Sequence, residues 1–106
     1  MAKFLVKANY TPAGVKGVQN EGGTGRRDAV KQAMEGLGGS LECFYYALGD
    51  TDAYVIGDLP DTTAAAALAL AVNQAGGATM TTVALLTPEE VDAAAKQSVS
   101  YRAPGA

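Results

Sequence analysis

Two arginines in tandem, Arg26 and Arg27, directly follow the run Gly22-Gly23-Thr24-Gly25. A helix that starts there carries free N–H groups and a positive dipole end, a poor place for cations unless an anion is held between them. The pair therefore reads as a cradle for a small anion, guanidinium being suited to carboxylate and phosphate. The plainer reading is structural ion pairing with Glu21, Asp28 or an acid of another subunit. The run lacks the lysine and the spacing of a Walker loop, so nucleotide binding is not expected.

A second group is spread over several segments. Lys7 and Asn9 share one side of an alternating stretch with Lys3 and Leu5, and Tyr46, Tyr54 and Asp58 belong to two later stretches that can neighbour it. One ammonium, one amide, two phenols and a carboxylate among apolar residues suit a small carbonyl or aromatic ligand. Lys7, Tyr46, Tyr54 and Asp58 are then the candidate proton-transfer groups, Lys7 as a base or nucleophile if desolvated. The competing reading pairs Lys7 with Glu42 or Asp58 across a sheet and makes the tyrosines packing residues.

Other residues offer less. Asp50 and Asp52 flank Thr51, but a hard cation needs about six oxygen ligands, so turn chemistry is the reading and no metal is expected. Cys43, the single cysteine, reads as a buried inert thiol and cannot form an internal disulfide. Thr79, Thr81 and Thr82 are strand formers first. Histidine and tryptophan are absent. That removes histidine-based acid–base catalysis, histidine-ligated zinc or haem, and Ser-His-Asp or Cys-His nucleophiles. No cofactor is expected.

The elements that must position these residues follow from period and punctuation. Residues 3–10 alternate, with Phe4, Val6, Ala8 and Tyr10 on one side, and predict a strand. Thr11-Pro12 starts a short helix over 12–21, which the glycines of 22–25 interrupt. Val30, Ala33, Met34 and Leu37 give a helix over about 24–37, ended by Gly38-Gly39. Residues 40–48 and 53–59 alternate about the turn Gly49–Asp52 and predict a hairpin. In the first of these strands Leu41, Cys43, Tyr45 and Ala47 share one face, and Phe44, Tyr46 and Leu48 the other. Asp61 caps an alanine-rich helix over 62–75, apolar nearly all round, that ends at Gly76-Gly77. A strand follows over 78–86. Thr87-Pro88-Glu89-Glu90 is a capping box for a last helix reaching about residue 97. Residues 98–106 read as a loose tail.

The order β-α-β-β-α-β-α predicts one domain over residues 1–106 of the α+β class. Its plan is the ferredoxin-like βαββαβ, a four-stranded antiparallel sheet with both main helices on one face, plus a C-terminal helix. The other face, expected to show Leu5, Phe44, Tyr46, Tyr54 and Ile56, exposes more apolar area than a lone molecule tolerates. A homodimer or higher oligomer, sheet against sheet as in a dimeric α/β barrel, would cover it.

At 106 residues, 48% hydrophobic and 18% charged, the chain suits a single core. Its net charge of −3 is unevenly placed: residues 1–31 hold six cations against two acids, the rest two against nine. A net acid is a poor non-specific nucleic-acid ligand. Lys7 interrupts the first apolar run, and no stretch approaches a membrane span, so a cytoplasmic protein without a membrane partner is expected.

The segments KFLVKANYTPAGVKG, EGGTGRRDAV, LGGSLECFYYALGDTDAYVIGDLPD, AAAALALAVNQAGG and LLTPEEVDAAAK, in this order, resemble the GYD-domain family over nearly the whole chain. The resemblance implies a ferredoxin-like fold related to dimeric α/β-barrel proteins, in a family of uncharacterised role. The name-giving pattern is glycine, any residue, tyrosine, aspartate. Gly49, Asp50 and Asp52 fit it, and Thr51 stands where the family has tyrosine, so no role of that ring carries over. The functional expectation is a small-molecule-binding homo-oligomer. Its pocket would lie on the non-helix face, lined by Lys7, Asn9, Tyr46 and Tyr54, with Arg26 and Arg27 as a second anion site under the first helix. The alternatives are a cofactor-independent oxygenase, isomerase or decarboxylase acting on a small acid, and a structural or regulatory partner protein.

Overall fold

A computed structural model describes residues 1–106. Strand β1 (Ala2–Tyr10) alternates as its sequence does: Phe4 and Val6 are buried, and their neighbours are not. Strand β3 (Ala53–Leu59) repeats the pattern with Ala53, Val55, Gly57 and Leu59 inward. With β2 (Ser40–Tyr46) and β4 (Ala78–Leu85) they form one antiparallel sheet in the order β2-β3-β1-β4. Two helices, α1 (Pro12–Gly36) and α2 (Thr62–Ala75), cover one face. This is the ferredoxin-like layout, with α3 (Pro88–Ala95) added after the last strand.

The helix ends are built from the residues that sequence rules select. The Thr11 hydroxyl accepts from the Gly14 N–H (3.2 Å), and Pro12 opens α1. Asp61 accepts from the Ala64 N–H at 2.8 Å, and Gly76 ends α2 in the left-handed conformation, φ 80°. Gly22, at φ 82° and ψ 163°, breaks α1 into two helical pieces at the glycine run. The break is a kink of one residue, and helix resumes at once after it. The core is small. Phe4, Val6, Val55 and Leu59 of the sheet meet Met34 of α1 and Ala65 and Leu68 of α2.

One face assignment is overturned. Leu41 pairs with Gly57, but Cys43, two residues on, pairs with Ile56, so Glu42 is an extra residue in β2. Such a bulge reverses the inward and outward sense of all that follows it. Phe44 and Tyr46 therefore lie on the helix side, and Cys43 and Tyr45 on the open side. The open face carries Leu5, Cys43, Tyr45, Tyr54 and Ile56, continued on β4 by Val83 and Leu85, which pair with Leu5 and Lys3. β2 also stops at Tyr46, where the Ala47 N–H turns to the Asp52 carbonyl (2.8 Å). No helix is long and apolar enough to cross a membrane.

Candidate functional site

The helix layer and the sheet do not fill the space between them. A cavity of about 440 Å³ remains, floored by Val6, Ala8, Phe44, Val55 and Met80, and walled by small residues of both helices. Those walls explain the void. α1 offers Ala13, Gly14 and Gly17 to it, and α2 offers Ala71 and Ala75. Both junctions are pinned close to one another: Thr11 donates from its N–H to the Gly77 carbonyl (3.1 Å) and from its hydroxyl to the Gly76 carbonyl (2.8 Å). Helices held at a fixed height by such contacts, yet bearing glycine and alanine, leave empty volume that larger side chains would occupy.

Polar groups gather at one end only. Arg26 and Glu21 stand on either side of the Gly22 kink and face each other at 3.4 Å, both half-exposed. Tyr10 closes the floor beside them. Burial pushes its phenol up to about 12, with the neighbouring Tyr46 adding to the effect. Tyr10 thus remains a hydrogen-bond donor at any physiological pH. Its ring lies 6.4 Å from that of Tyr46, which lies 5.0 Å from Phe44. The Tyr46 hydroxyl donates to the Gly23 carbonyl at 3.1 Å, tying the kink to the edge of the sheet. The arrangement offers apolar contact along most of its length. At its mouth it has guanidinium and phenol donors and one carboxylate acceptor.

The residues singled out in the sequence are divided by this geometry. Arg26 reaches the cavity. Arg27 does not; it is exposed, pairs with Asp28 at 3.2 Å, and borders a shallow hollow with Lys31 and Glu42. Both arginines thus have the acidic neighbours that the plainer reading named. Tyr46 is on the helix side, against Gly23 and Tyr10 but outside the cavity lining, whereas Lys7, Tyr54 and Asp58 are on the open face, so the four proton-transfer candidates do not converge. Lys3, not Lys7, makes the ion pairs across the sheet, to Glu42 at 2.5 Å and to Asp58 at 3.3 Å. The Glu42 hydrogen bond is the main reason that the Lys3 ammonium is held above its ordinary value. Lys7 sits between Tyr54 and Thr81 in register, with no carboxylate within 4 Å.

Asn9 and Asp52 form a clamp. The Asn9 side-chain oxygen accepts from the Asp52 N–H (3.1 Å), and the Asp52 carboxylate accepts from the Tyr10 N–H (2.9 Å). Asp52 thereby holds the hairpin turn to the end of β1 and fixes the strand that carries Tyr10. Cys43 is partly exposed on the open face rather than buried.

Sequence reasoning missed Tyr10 and Glu21 as site residues. Tyr10 was readable as sharing the inward parity of Phe4, Val6 and Ala8. The cavity itself had a signal too, in the alanines of α2, which can approach a sheet but cannot fill the gap above it.

The GYD domain family model matches residues 4–95, and the chain belongs to that family. No curated protein and no solved structure matches it.

Proposed function

For this GYD-domain chain we propose the binding of a small, mostly apolar molecule with one acidic or hydrogen-bonding group, in the cavity between helices and sheet. The observation that carries the reading is the cavity's division of labour. Its volume lies in the range of roughly 300–1,000 Å³ typical of ligand sites. Its walls are apolar, and Arg26, Glu21 and Tyr10 meet at a single end. A carboxylate or hydroxyl placed there would take donors from Arg26 and Tyr10, while an aliphatic or aromatic body displaced nothing polar. Small-molecule binding thus moves from the open face, where Lys7 and Tyr54 stand on an uncovered sheet, to the space under α1.

Gly17 provides the test. It lines the cavity, and a Cβ there meets no atom within 4 Å. Gly17→Leu should fold, gaining about 1 kcal/mol of helix propensity, and should fill the mouth. Thermal shift and calorimetry against aliphatic and aromatic carboxylic acids and their neutral amides should give saturable binding. That binding should be lost in Gly17→Leu, weakened for the acids in Arg26→Ala, and retained in Lys7→Ala. A panel that binds equally well to Gly17→Leu, or one that gives no binding at all, would remove the cavity as the site.

A further inference from the structure

The last fifth of the chain makes no use of the rest. Every residue from Pro88 to Ala106 is exposed. α3 buries none of its residues. The hydrogen bonds of residues 87–106 outside the helix ladder stay within that segment, from Val91 to Thr87, Lys96 to Ala93, Gln97 to Ala94 and Ala106 to Ala103. The molecule is 57 Å long with a radius of gyration of 16.8 Å, against about 13 Å for a compact chain of this length. The segment accounts for the excess by standing off the body.

Yet it is built as structure. The capping box is complete, with Thr87 and Glu90 each bonding the other's backbone N–H at 3.1 and 3.0 Å. Val91, Ala94 and Ala95 share one face, and Leu86, Val99 and Tyr101 extend the apolar series, 66%, 79% and 76% exposed. An eight-residue helix in water is marginal without a surface to pack on.

The chain also exposes the surface that would suit it. On the open sheet face Leu5, Ile56, Tyr54, Val83 and Leu85 lie uncovered. There Lys7 has no acid within 4 Å, while Glu89 and Asp92 on α3 have no cation within the same distance. Two residues separate β4 from α3, and every residue of α3 is exposed, so the helix does not pack on its own sheet. The total surface is 7154 Å², roughly 1,600 Å² above that of a compact monomer of 10.7 kDa. A standard interface needs only about 800 Å² from each partner.

We propose that residues 86–106 form an arm that each copy lays across the open sheet face of a second copy, in reciprocal exchange. The occupant of the face is thus the partner's arm, with Val91 and Tyr101 as its apolar anchors and the acids of α3 set against the partner's Lys7. This is independent of the ligand reading, and Gly17→Leu should leave it untouched.

The test joins sedimentation equilibrium to hydrogen exchange on the full chain. A particle of two chains is expected. The α3 amides should be protected in it, and that protection should disappear on dilution below the dissociation constant. Val91→Glu and Tyr101→Ser, both at exposed positions, should weaken association by about tenfold or more, and Val83→Glu on the receiving face should do the same. Three results would overturn the proposal. They are a single-chain particle at all concentrations, a dimer indifferent to the arm substitutions, and α3 protection in a single-chain particle, which would mean an arm folded on its own sheet.

Discussion

Asp52 has a structural task in this chain. Its carboxylate and its N–H bind the end of β1 from two sides, through Tyr10 and Asn9. Neither bond uses the side chain of Thr51. Tyr10, held by that clamp, is where burial has a measurable consequence. Its raised value means that the folded state keeps a proton which the unfolded chain loses near pH 10. The stabilisation is therefore complete below pH 10 and is lost as the pH rises towards 12. Difference titration at 295 nm between the protein and Tyr10→Phe should show a phenol with a midpoint near 12. The fall in stability between pH 10 and 12 should be shallower in Tyr10→Phe. Thr82 is the opposite case, a buried hydroxyl on the helix side of β4 with no partner. Thr82→Val removes the unmet bond at little change of shape, and chemical denaturation should show a gain of about 1 kcal/mol.

At the level of elements, most of the architecture was legible because each piece carries both a period and its own stops. Thr11-Pro12, Asp61 and the Thr87–Glu90 box mark helix starts, and Gly38 and Gly76 mark ends, all close to where the chain realises them. The face of β2 was not legible. Leu41 to Tyr46 alternates without a visible interruption, and the bulge at Glu42 arises from the register against β3, a property of two strands together. The union of the two helical pieces into α1 was also hidden, since four residues carrying three glycines look like a loop. A single glycine, Gly22, does the bending, and it needs φ 82° to do so. Gly14 matters for another reason: a Cβ there would overlap the carbonyl of Gly77, the contact that pins α1 to the start of β4. Gly14→Ala should cost roughly 1–3 kcal/mol in chemical denaturation, as overpacking does, despite alanine's better helix propensity. Ala in place of the open Gly17 should cost nothing. The contrast separates close approach from helix propensity as the reason for glycine in this helix.

For the molecule as a whole, the governing fact is how little is buried. Eight apolar residues make up the interior, and among them only Met34 and Leu59 are both large and fully enclosed. The same scarcity of bulky side chains that leaves the cavity open deprives the fold of contacts, so a lone chain is expected to be weakly stable. Alternation exposed the open face, from which a second copy was expected; the place and volume of the cavity were not legible, because they concern space left over after the elements pack. The two sources of added stability respond differently to concentration. A ligand in the proposed site would add stability that follows ligand concentration, and the proposed exchange of arms would add stability that follows protein concentration. Melting temperature without ligand should therefore climb as the protein is concentrated across its dissociation constant, in the parent chain and in Gly17→Leu alike. In Val91→Glu the climb should begin only at higher concentration. Equal melting temperatures across the roughly thousandfold range from nanomolar to micromolar protein would mean that the chain supports its small interior unaided, and the second copy would lose its thermodynamic role.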